Sequence, residues 1–235
     1  MRIVVLVAVC VLLAGCAGQP PVVDRLVAGT GLAQASATPT ASASVAAEPR
    51  DGRLLTPEQA RSALPDIREL PGTGWDSPAS GEDLATPTKP AECSQVGRRG
   101  PAVQRAEPTV LESIVYRTQS PPVVDAKFFI GSWTNAADGF DVDDATALAK
   151  RCAKFTAFGN GKEYPVIVEQ LEPPPIGEKQ FAVRMTVVGD GYLTIFWSRT
   201  GHDMVQMSVI HNTTDDQLTP FRSVLESIDK DLAAA

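Results

Sequence analysis

FAVRMTVVGDGYLTIFWSRTGHDMVQMSVIH, Phe181 to His211, is the stretch that decides the fold. Apolar residues alternate at Phe181, Val183, Met185 and Val187, again at Leu193, Ile195 and Trp197, and again at Val205, Met207 and Val209. Side chains of a strand point to opposite faces with a period of two, so each run predicts a strand. Gly189-Asp190-Gly191 and Thr200-Gly201-His202 separate the runs and supply turns, which makes the stretch a three-stranded antiparallel meander. Upstream, YPVIVEQLE adds a strand that Pro173-Pro174-Pro175 closes. Before it, VDDATALAKRCAKF changes period: Ala145, Leu148, Ala149, Cys152 and Phe155 share one helical face, with Asp143 and Asp144 at the start and Lys150, Arg151 and Lys154 at the end. VLESIVYRT and AKFFIGSWT are two further strands, divided by Ser120-Pro121-Pro122, and Pro71 to Pro108 reads mostly as loop with short order around Cys93. LLTPEQARSAL opens the domain with a capped helix: Thr56 as N-cap, Pro57 at the first helical position, Gln59 completing a capping box. A last helix places Leu218, Phe221, Leu225, Ile228 and Leu232 at helical spacing with Pro220 in its first turn. The order α, two strands, α, four strands, α predicts an α+β fold, an antiparallel twisted sheet packed against two or three helices, in a single domain over 53–235.

Residues 1–15 are a different kind of sequence. MRIVVLVAVCVLLAG has one charge, Arg2, then an apolar run of about a dozen residues, short of the roughly 20 needed to span a bilayer core. That is the form of a secretory signal. Its last residues with the next, Leu13-Ala14-Gly15-Cys16, resemble the bacterial lipobox, which implies cleavage before Cys16 and lipidation of that cysteine. Two or three acyl chains, at about 0.8 kcal/mol per buried CH₂, then hold the chain to a membrane that it does not span. From 16 to 52 the composition is Ala, Ser, Thr, Pro, Gly and Val, with ASATPTASASVAAEP at the centre and no aromatic residue. Such a segment cannot bury enough surface to offset its chain entropy, and it reads as a disordered tether spanning roughly 30 to 40 Å root-mean-square.

Of 21 basic and 28 acidic residues only Arg2 lies in the leader, so the remainder carries 20 against 28, a net of −8. That balance argues against nucleic acid as a partner. With Cys10 in the leader and Cys16 lipidated, Cys93 and Cys152 remain, and two thiols in an exported domain are expected to pair. The alternative, a metal site, lacks ligands nearby in sequence: neither cysteine belongs to a CxxC, and His202 and His211 are distant and read as solvated. No GxSxG elbow or SxxK pair supplies a nucleophile. The run Asp138 to Asp144 suggests calcium but has no glutamate at the twelfth position, and the position before a helix accounts for Asp141 to Asp144 by capping. No cofactor and no metal are expected.

The capped LLTPEQA helix, the lone cysteine in the following loop, the ATALAKRCAKF helix bearing the second cysteine, the meander and the closing helix together resemble the extracellular sensor domain of mycobacterial serine/threonine kinases, over Leu54 to Leu232. Members often carry a second cysteine pair, which this chain lacks. The resemblance implies a non-catalytic, sensor-like domain at the cell envelope and no ligand identity. An envelope-associated hydrolase is the alternative class. The expected partners are the membrane through the lipid anchor and a hydrophobic or amphipathic envelope ligand or an envelope protein. Large apolar residues lie on both faces of the meander; one face is core, and the other is either covered by a helix or open as a groove between sheet and helices, for which Trp133 and Tyr192 are the candidate lining because each joins an apolar body to a polar edge.

Overall fold

The computed structural model describes residues 54–76, 86–96, 106–119 and 122–235. The leader, Cys16 and the tether lie outside the described residues. Among those described, no helix is long and apolar enough to cross a membrane. In chain order the elements are α1 (Pro57–Ser62), β1 (Trp75–Asp76), β2 (Thr88–Lys89), β3 (Val110–Thr118), β4 (Asp125–Ser132), α2 (Val142–Arg151), β5 (Lys154–Gly159), β6 (Lys162–Leu171), β7 (Lys179–Val187), β8 (Gly191–Thr200), β9 (Asp203–His211) and α3 (Leu218–Ala234).

The local signals act as the sequence predicts. Thr56 accepts from the Gln59 amide and the Gln59 side chain takes the Thr56 amide, closing the capping box of α1. Asp141 accepts from the amides of Asp143 and Asp144 at the start of α2, so this carboxylate of the acidic run serves as a cap. Both clusters of the core lie on helix-covered parts of one sheet.

One boundary differs. The helix predicted to run through Phe155 stops at Arg151, and Lys154–Gly159 is a strand. KFTAFG is rich in aromatic and β-prone residues, and Asn160 and Gly161, at φ 50 and 71, form the tight turn that pairs it with β6. Asn-Gly accommodates two positive φ angles in succession, and here that preference outweighs the helical register of Phe155. The meander therefore has five strands, β5 to β9.

All strand pairs are antiparallel, in the order β1-β3-β4-β9-β8-β7-β6-β5-β2. The β3–β4 hairpin leads through α2 to the far side of the sheet, and the meander returns until β9 pairs with β4. Alternation then sorts the side chains. Phe128, Ile130, Phe196, Val205, Met207 and Val209 pack with α1 and α3 on one face. Val166, Val183, Ile195 and Trp197 pack with α2 and the Cys93 turn on the other. Large apolar residues on both faces of the meander thus have an ordinary cause, since a different helix covers each face.

Candidate functional site

Across β6, β7 and β8, Glu169, Arg184 and Thr194 stand opposite one another in register and so form a row on the α3 side of the sheet. Arg184 and Thr194 of this row, with Leu171 at the end of β6, make the floor of a cleft of about 480 Å³. One wall is Glu172-Pro173-Pro174-Pro175, and the other runs from Asp215 through Thr219 to Arg222 at the start of α3. The triproline wall is where β6 must end, because proline has no N–H for a ladder. It is pinned at its base: Ile176 is buried in the core, the Glu178 amide donates to the Arg199 carbonyl, and Gly177 adopts φ +76 so close to β8 that a Cβ there would lie 2.8 Å from Thr200 Oγ1. Only glycine meets both demands.

The opposite wall is fastened by side chains from the floor. Arg184 donates through Nη2 to Glu169 Oε2 at 2.7 Å and through Nη1 to the Thr214 carbonyl at 3.0 Å. Asp216 accepts from the amides of Leu218 and Thr219 at the first turn of α3. Burial works to raise its pKa, but these hydrogen bonds, one from the Thr219 hydroxyl and nearby Arg184 together hold it below the ordinary carboxylate value. His211 closes the base of this wall: its ring lies 2.9 Å from Thr194 Oγ1 through Nε2 and 2.9 Å from the Thr213 carbonyl through Nδ1. A carbonyl only accepts, so Nδ1 carries the hydrogen and the neutral ring accepts from the Thr194 hydroxyl.

Cys93 and Cys152 form a disulfide with Cα atoms 5.5 Å apart, joining the short turn at Ala91–Gln95 to the end of α2. Trp133 and Tyr192 do not meet. Trp133 is 2% exposed, fills the space beside Gly131 and Gly139, and donates from Nε1 to the Ala106 carbonyl. Tyr192 stacks on His211 at the other end of β8, about 26 Å away at the usual rise per strand residue. Neither lines the cleft, which corrects the expected lining: the indole edge of Trp133 is used within the core, and the cleft is built from charged residues and proline. The two histidines also differ from expectation. His202 is 8% and His211 3% exposed, each bonded to a backbone carbonyl, His202 to that of Trp133 at 2.8 Å. Their polar sequence neighbourhoods hid this, because the burial comes from strand register.

Among the described residues no three His, Cys, Asp or Glu side chains are grouped to hold a metal ion. Buried polar groups at the far end of the sheet, Ser132, Ser198 and Asp203, lie on strand ends away from the cleft.

No protein-family model matches the sequence, and no curated protein matches it. The structure is similar to the crystal structure of the extracellular domain of PknH from Mycobacterium tuberculosis, with a TM-score of 0.60 at 12% identity, over 77% of this chain and 98% of that one. The resemblance to the sensor domains of mycobacterial kinases therefore holds at the level of the fold. A looser likeness, TM-score 0.38 at 14% identity over 76% of this chain and 94% of the other, is to the Mycobacterium smegmatis ortholog of Rv0999.

Proposed function

We propose that this is a membrane-anchored extracytoplasmic lipoprotein, held by acylated Cys16, whose domain is a non-catalytic sensor-like module. In this reading the cleft over Arg184 and Thr194 receives an amphipathic, charged envelope ligand or a segment of an envelope protein. The observation that carries the proposal is the coincidence of a lipobox leader with the fold of an extracellular domain. The disulfide supports it, since such bonds persist in oxidising compartments. The cleft supports the ligand class: Leu171, Leu218 and three prolines offer apolar contact, while Glu172, Arg184, Asp215 and Arg222 offer charge.

Isotope-labelled protein titrated with extracted envelope material is expected to show amide shifts concentrated at Arg184, Thr194, Gln217 and Thr219. Arg184→Gln should weaken that binding about tenfold, equivalent to about 1.4 kcal/mol. Shifts mapping elsewhere, or unaltered binding by Arg184→Gln, would remove the cleft from the account.

A further inference from the structure

Resting on the reading of the cleft as a binding site, we infer that the site continues onto an uncovered strip of the sheet beside it, and that it takes a single-chain amphiphile with a zwitterionic head in the cleft and an apolar chain along the strip.

On the face packed by α1 and α3, side chains stand in rows across β6, β7 and β8. Leu171, Ala182 and Phe196 form one row, and all three pack in the core on that face. Next comes the row of Glu169, Arg184 and Thr194, which carries the cleft floor. The row after it, Ile167, Thr186 and Tyr192, is largely apolar again, yet none of its members joins the core packed by α1 and α3. One rung further, Val188 donates its amide to the Pro165 carbonyl and so extends the strip past the end of β7. Ile167 is 44% and Val188 50% exposed, and Pro165 is exposed beside them. A sheet face that meets water ordinarily turns polar side chains to it, so an apolar row beyond a charged one calls for a cover. The strip has threonines at its margins, Thr156 opposite Pro165 and Thr186 opposite Ile167, and one cation, Lys154, at its outer end. From Arg184 to Val188 the strand rises about 13 Å, at roughly 3.3 Å per residue, so a chain leaving the cleft along β7 stays on the strip.

The head follows from the charges of the cleft. Arg184 is bound to Glu169 and to the Thr214 carbonyl, and Arg222 is bound through Nε to Glu226. Among the described residues this leaves Nε of Arg184 and both Nη groups of Arg222 as donors, the fork that a phosphate or carboxylate accepts from. Glu172 on the triproline wall and Asp215 on the opposite wall form no ion pair among the described residues. A head of one sign satisfies one of these sets and is repelled by the other. A head carrying both signs is complementary to both.

The test titrates the full-length isotope-labelled protein with phosphocholine alone and with its butyl, hexyl and octyl esters, each below its micelle concentration. Phosphocholine is expected to shift the amides of Arg184, Thr194 and Thr219. Lengthening the chain should add shifts at Ile167, Thr186 and Val188 and raise affinity about twofold per methylene, half the free-energy gain of one fully removed from water. Octyl phosphate and octyl trimethylammonium, which carry one sign each, should bind about tenfold more weakly than octyl phosphocholine. Ile167→Asp combined with Val188→Asp changes two exposed positions, and should keep the binding of the head while losing the gain with chain length. If that variant fails to fold, the chain-length series on the unaltered chain decides alone. Affinity that does not change with chain length, a gain that survives in the double variant, or a singly charged amphiphile that binds as tightly overturns the proposal. Cleft shifts without a chain-length gain remove the strip and leave the cleft reading standing. Absence of shifts from every phosphocholine probe overturns the amphiphile whatever envelope extract does, and the extract titration then decides the cleft reading by itself, with a protein segment as the remaining occupant.

Discussion

Replacing Cys93 and Cys152 together by alanine lowers the unfolding free energy by about 4 kcal/mol, one of the two largest effects expected of a change outside the cleft. The bond joins positions 59 apart in sequence, and closing a loop of that length removes much of the freedom of the unfolded chain. Both cysteines are almost fully buried, so the substitutions also thin the packing behind α2. Against a typical total of about 5 to 15 kcal/mol, a loss of that size leaves a marginal domain. Urea unfolding of the oxidised wild type beside the double variant is the measurement. A difference under about 1 kcal/mol would mean that the bond contributes little beyond its own geometry.

Trp197→Ala is the second. Trp197 is 1% exposed and sits between Phe140, with ring centroids 5.1 Å apart and planes 15° from parallel, and Phe181 at 5.3 Å. Phe140 comes from the segment before α2, Phe181 from β7 and Trp197 from β8, so the stack ties the connection to the meander. Removing its middle ring forfeits the transfer energy and leaves a cavity that flanking aromatics fill only in part, at a cost of about 3 to 5 kcal/mol. Tyr192→Ala, taking away a partly buried ring at the start of β8, should cost far less in the same thermal or denaturant series. Equal costs would contradict the assignment of Trp197 to the core and Tyr192 to a partly buried stack on His211.

These two cases also mark what could be read before the structure. Alternation in β7, β8 and β9 was legible because each strand carries its own period, and the Thr56 and Asp141 caps were legible because their partners lie within three residues. The cysteine pair was legible by elimination. β5 was not, because Phe155 continues the helical spacing of α2 and only Asn160-Gly161 contradicts it. The pairing of β4 with β9 was hidden as well, since it joins segments about 80 residues apart that no local period relates. The cleft was the least legible part. Its floor is a row set by register across three strands, and its walls come from 172–175 and 215–222, so no contiguous motif announces it. Trp133 and Tyr192 looked suited to a binding site by chemistry alone. Their positions at opposite ends of the sheet give each a different role, one closing the core beside Gly131 and the other stacking on His211.

The central claim, a lipid-anchored domain outside the cytoplasm, is tested most directly by the intact mass and membrane partitioning of the mature protein, compared with Cys16→Ser. The account predicts that the wild-type chain begins at Cys16, carries acyl mass on it and stays in the membrane fraction, while Cys16→Ser lacks that mass and is released. An unmodified Cys16, or a Cys16→Ser chain that remains with the membrane, would contradict it.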